Sequence, residues 1–141
     1  RDASIYQNGL DALLCATGAL VRPLPGQCEN GEWSLMFFDD IFSHAVLRFP
    51  APGGQMAEEG YGEVHVAVSP PSAVIRQGER VLHSARTVTG VASLLYARID
   101  GIVVNQQFLV TAFKVIDPYL FLASDSDACN RFAAAINARI A

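Results

Sequence analysis

The chain has 141 residues, 51% apolar and 17% charged, with a formal net charge of −4. That length and balance fit one folded domain with its own core and exclude intrinsic disorder. The net negative charge argues against nucleic-acid binding, which relies on clustered Lys and Arg to neutralise phosphates, and no run of about eighteen apolar residues is present to span a bilayer.

Leu10, Leu13, Leu14, Thr17 and Leu20 recur at helical spacing and predict a helix from Ser4 to Val21 with one buried face. Arg22, Pro23, Pro25 and Gly26 end it. The sequence begins at Arg1 rather than Met, which suggests an upstream signal segment that was removed. Cys15 in the helix and Cys28 beyond the turn are then expected to form a disulfide in an oxidising compartment, contributing about 3 kcal/mol by restricting the unfolded chain. Cys15 with Cys129 is the competing pair. The expected location is periplasmic or secreted.

Between Glu32 and Phe49, Trp33, Phe37, Phe38, Ile41, Phe42, Val46 and Phe49 predict two strands joined at Asp39 and Asp40. Pro50 to Gly62 holds two prolines and four glycines and reads as a long surface loop. Val64, Val66 and Val68 alternate with His65 and Ala67 as a half-buried strand stopped by Pro70 and Pro71. A polar hairpin turning near Gln77 and Gly78 is expected next.

Val91 to Ile99 and Ile102 to Ile116 read as a central antiparallel hairpin turning at Asp100-Gly101, a dipeptide that accepts positive φ. Asp117-Pro118 marks another turn, with Tyr119 to Ala123 pairing back as a short strand. Ser124 to Asp127 offer capping oxygens for a terminal helix whose buried stripe would be Cys129, Phe132, Ala133, Ile136 and Ile140. The elements together predict a single α+β domain over residues 1–141, an antiparallel sheet with an N-terminal and a C-terminal helix packed on it.

No metal or cofactor is expected, since His44, His65 and His83 are about twenty residues apart and form no close ligand pair. Cys15 sits mid-helix and Cys129 follows Asp125 and Asp127, which disfavours a thiolate nucleophile. Asp39 and Asp40 suit a turn, and Asp125 and Asp127 a helix cap. Glycine-rich phosphate loops and a Gly-x-Ser-x-Gly elbow are absent from the sequence, so nucleotide binding and acyl transfer have no motif behind them.

The sequence therefore reads as a non-catalytic bacterial periplasmic binding or inhibitor protein. A concrete form is an immunity protein that neutralises a secreted toxin, such as a cell-wall hydrolase, by inserting a loop into its active site. Met56 and Tyr61 would anchor that contact while Glu58 and Glu59 steer a basic protein partner. The alternative is a carrier of a small apolar ligand held between sheet and helix. A Cys/His hydrolase is the least supported reading.

Overall fold

A computed structural model describes residues 4–17, 30–50 and 64–140. In chain order the elements are α1 (Ser4–Ala16), β1 (Glu32–Phe38), β2 (Ile41–Phe49), β3 (Val64–Ala67), α2 (Ser72–Thr89), β4 (Tyr96–Val104), β5 (Gln107–Lys114), a 3₁₀ turn (Leu122–Ser124) and α3 (Ala128–Ile140). The strands form one antiparallel sheet in the order β3-β2-β1-β4-β5. The fold is thus α+β, as the sequence predicts.

Alternation along the strands divides the sheet into two unlike faces. One presents Leu35, Phe37, Ala97 and Ile99 to Val74 and Leu82 of α2, and this is the main core. The other carries Met36 and Val46 against Phe121, and Phe38 against Phe132 of α3, with ring centroids 4.9 Å apart.

Residues 70–90 form a helix rather than a polar hairpin. Val74, Gly78 and Leu82 stand four residues apart, so they share the face that meets the sheet. Gly78 is a contact surface rather than a turn: a Cβ there would lie 2.7 Å from Leu35 Cδ1 and 3.1 Å from Phe37 Cζ. Gly90 ends the helix in the left-handed region with φ 72°, and its N–H donates to the Arg86 carbonyl.

The β1–β2 turn falls at Asp39 and Asp40, with φ of 47° and 66°, where the sequence places it. The second hairpin does not turn at Asp100-Gly101. β4 runs straight through that dipeptide, and the chain reverses at Asn105 and Gln106, with φ of 49° and 65°. Gly101 sits instead beside a bulge. Asp100 faces Ala112 and Gly101 faces Val110, leaving Thr111 as the extra residue of β5. A Cβ on Gly101 would lie 2.6 Å from Phe108 Cε2 and 2.7 Å from the Leu109 carbonyl oxygen, so close approach of β5 explains the glycine.

Other expectations shift in smaller ways. Tyr119 to Ala123 is not a strand; Phe121 takes φ 50° ahead of the 3₁₀ turn. The stripe of α3 that meets the sheet is Ala128, Phe132 and Ala135, while Ile136 and Ile140 are exposed. Val64 and Val66 of β3 are exposed at the sheet edge, as are Leu13 and Leu14 of α1. Cys28 and the loop bearing Met56, Glu58, Glu59 and Tyr61 lie outside the described residues. Cys15 and Cys129 are free, exposed thiols, so neither the expected crosslink to Cys28 nor the competing Cys15 to Cys129 pair is formed. No helix among the described residues is long and apolar enough to cross a membrane.

Candidate functional site

The sheet face opposite α2 holds charged groups that a plain core would not tolerate. Arg98 and Asp100 are two apart on β4 and so point the same way. Arg98 Nε donates to Asp100 Oδ1 at 2.7 Å and Nη2 to Oδ2 at 2.8 Å. Ser34 Oγ, directly across on β1, donates to Oδ1 at 2.6 Å. Arg48 Nη2 lies 3.4 Å and Lys114 Nζ 3.7 Å from Oδ2. Glu32 completes the cluster by pairing with Arg48 and accepting from Thr111 Oγ1.

The cluster is buried from the α2 side by the sheet and bounded by the 119–121 segment on its own side. Arg98 Nη1 donates to the Tyr119 carbonyl at 3.0 Å, and its guanidinium carbon lies 5.3 Å from the Phe121 ring centroid. Burial by itself raises the Asp100 carboxyl, but the Arg98 hydrogen bonds and charge, followed by Arg48 and Ser34, reverse that and hold it below the ordinary carboxylate range. Asp100 is therefore a fixed anion wrapped by three cations. Lys114 is the cation of the three that reaches water, its side chain 38% exposed against 5% for Arg48 and 0% for Arg98.

A second network on the same face fastens α3. Met36 faces His44 and Phe37 faces Phe42, so Ser43 is the extra residue of a bulge. His44 Nε2 lies 3.0 Å from the Leu120 carbonyl and can meet it only as a donor, which leaves Nδ1 to accept from Ser43 Oγ at 2.9 Å. Ser43 Oγ in turn accepts from Arg131 Nε at 2.8 Å, and Arg131 Nη2 pairs with Asp125 Oδ1 at 2.5 Å. Burial pushes the His44 imidazole below its ordinary value, so the ring is neutral at pH 7. A hydrogen bond from the Asp127 N–H and the Arg131 contact hold the Asp125 carboxyl low. Ser43, His44 and Asp125 line a cleft of about 290 Å³ with Pro70 and Ile75.

Among the expected candidates, Cys15 and His83 are exposed on α1 and α2, away from either network, and Cys129 is exposed on α3 two residues before Arg131. His65 lies on edge strand β3 with its ring 5.1 Å from Phe121. Arg98, Asp100, Arg48, Glu32 and Lys114 were not among the site residues expected from the sequence, where Asp100 was assigned to a turn. The available signal was Arg-x-Asp inside an apolar strand, since a strand buried on both sides keeps charges only when they are paired.

Solved structures of two ligating enzymes share this arrangement of a five-stranded antiparallel sheet and helices. The D-cycloserine synthetase DcsG superposes with a TM-score of 0.76 at 22% identity, over 85% of this chain and 42% of that one. The D-alanine–D-alanine ligase of Bacillus anthracis complexed with ATP superposes with a TM-score of 0.59 at 12% identity, over 97% of this chain and 46% of that one. A second structure of that ligase gives 0.59 at 11% identity, over 98% of this chain and 49% of the other. This chain thus spans less than half the length of each of these structures. No family model and no curated protein matches it.

The likeness establishes the fold, and it overturns the reading as a non-catalytic inhibitor or immunity protein, for which the structure offers no support. Its structural neighbours are enzymes, a D-cycloserine synthetase and a D-alanine–D-alanine ligase. The alternative of a small apolar-ligand carrier is overturned by the same likeness.

Proposed function

We propose that this chain forms one half of the active site of an ATP-dependent ligase that joins a carboxylate to an amine. The observation that carries this reading is the superposition on DcsG over most of the chain, with the Arg48, Arg98, Asp100 and Lys114 cluster on the sheet face away from α2. Cations of that kind suit the phosphates of a nucleotide, where fixed charge counts for more than in water. Arg98 is locked by Asp100 and Tyr119, so it supplies a preorganised field. Lys114 supplies the contact.

The partner implied is the other half of such a site, in the same polypeptide or another, because the neighbours are about twice as long. The segment between β2 and β3 in sequence, carrying Met56, Glu58, Glu59 and Tyr61, is the proposed contact surface for that half.

The test is equilibrium binding of a fluorescent ATP analogue to the protein, followed by an assay for phosphate release with mixtures of small amino acids. Saturable binding displaced by ATP and weakened about tenfold or more by Lys114→Ala is expected, that factor being about 1.4 kcal/mol. Absence of nucleotide binding, or binding indifferent to Lys114, would overturn the reading.

A further inference from the structure

Enzymes that use ATP commonly bridge its phosphates with a divalent ion held by carboxylates. Asp100 is the carboxylate on this face that such an ion would seek first, because it stands on an inner strand and is held ionised. Its oxygens are already engaged. Arg98 takes both of them at 2.7 and 2.8 Å, and Ser34 adds a bond at 2.6 Å. An ion needing near-octahedral oxygen ligands would have to displace a fully buried guanidinium from its bidentate pair.

Sheet register fixes where further ligands would have to stand. Directly across from Asp100 on β5 is Ala112, which has no donor atom, and across from Arg98 is Lys114, whose ammonium points at Asp100 Oδ2 from 3.7 Å. On β1 the partner of Asp100 is Ser34, and Glu32, two residues before it, is tied to Arg48 and Thr111. Among the described residues no group of three His, Cys, Asp or Glu side chains is arranged to hold a metal. Any ion approaching Asp100 would also meet the like charges of Arg48, Arg98 and Lys114.

Resting on the ligase reading, we infer that Lys114 takes the place of a divalent cation here, and that Asp100 orients cationic side chains rather than ligating a metal. The ligand class is unchanged, a nucleoside triphosphate, but the positive charge that this half of the site offers it is a side-chain ammonium. Asp100 is then a positioning residue, and Lys114 the group that touches phosphate.

The decisive measurement is a titration of the unaltered protein with Mn²⁺ alone, read as paramagnetic broadening of backbone amide resonances. At about 1 mM Mn²⁺, a concentration that fills weak protein carboxylate sites, the amides of Asp100, Ala112 and Lys114 are expected to stay as sharp as those of the α2 core. Selective broadening at these three positions would overturn the inference. The double variant Ala112→Glu/Lys114→Glu places two carboxylates beside Asp100 and is expected to gain that broadening; a folded variant that gains none would also count against the role assigned to Lys114. No nucleotide enters the titration, so a failure of the ligase reading shows separately as absent ATP binding while the metal result still decides.

Discussion

Arg98 and Asp100 stand two residues apart on one strand and join through two parallel charge-assisted hydrogen bonds of 2.7 and 2.8 Å, with neither side chain more than 3% exposed. A pair buried so completely is costly to break, because removing one member leaves the other charged and uncompensated. Asp100→Ala is expected to lower unfolding stability by about 3–5 kcal/mol. Replacing both residues with apolar ones should cost much less. Urea unfolding of the two single variants and the double variant checks this through the coupling energy, and a double variant as damaged as the sum of the singles would contradict it.

The His44 ring sets a pH window. Its folded value lies below the ordinary 6.5 because burial disfavours the imidazolium, with the Leu120 hydrogen bond opposing in part. The unfolded chain therefore binds a proton first as pH falls, so stability is unaffected above about 6.5 and declines below it. Asp100 adds a separate loss of the same sign at lower pH, starting below the ordinary carboxylate value and running down through its lowered folded one. His44→Gln keeps a donor for Leu120 and an acceptor for Ser43, and should flatten the slope just below about 6.5 while leaving the acid limb in place. Denaturant midpoints measured across that range decide it.

Gly78 separates two opposing effects on α2. Alanine there gains helix propensity of up to about 1 kcal/mol, yet its Cβ would fall 2.7 Å from Leu35 Cδ1 in a fully buried core. Overpacking of that kind costs about 1–3 kcal/mol, so Gly78→Ala is expected to destabilise on balance. Trimming the obstacle in Gly78→Ala/Leu35→Val should recover part of the loss. Thermal unfolding of both variants is the check.

Arg131 fastens α3 through Ser43 and Asp125, but its side chain is 34% exposed, so the ion pair itself counts for little. The hydrogen bond to Ser43 is the larger share, and Arg131→Met is expected to cost about 1 kcal/mol. Hydrogen exchange should rise across Ala128–Ile140 and hardly at all in β1. Uniform acceleration through the sheet would show that α3 is not an independent unit.

Cys15 and Cys129 are both exposed and free, so alkylation of the native protein without reductant should modify each of them. Peptide mapping by mass spectrometry reads the outcome. An unmodified Cys15 recovered in a crosslinked peptide would restore the disulfide.

Periodic features were legible because they are local. The aromatic and apolar run from Trp33 to Phe49 and the Asp39-Asp40 reversal follow from neighbours in sequence, as does the terminal helix after Asp127. Asp100-Gly101 misled because Asp and Gly favour turns by backbone preference alone. In the folded chain the carboxylate is consumed by Arg98 and Ser34, and Gly101 by the close approach of Phe108 and Leu109. The turn then passed to Asn105 and Gln106. Gly78 misled in the same manner, its open space being a contact with Leu35 rather than a bend.

Fold class and the strands between Glu32 and Phe49 were therefore written in hydrophobic pattern and composition, which any segment carries without reference to the rest. The candidate site was not. Arg48, Arg98, Asp100 and Lys114 come from three strands, and only the register that sets Arg98 opposite Lys114 and Asp100 opposite Ser34 makes them one cluster. Charge in a buried strand is tolerated when partners arrive from elsewhere in the chain, and the sequence order of those partners bears no trace of the distance at which they meet.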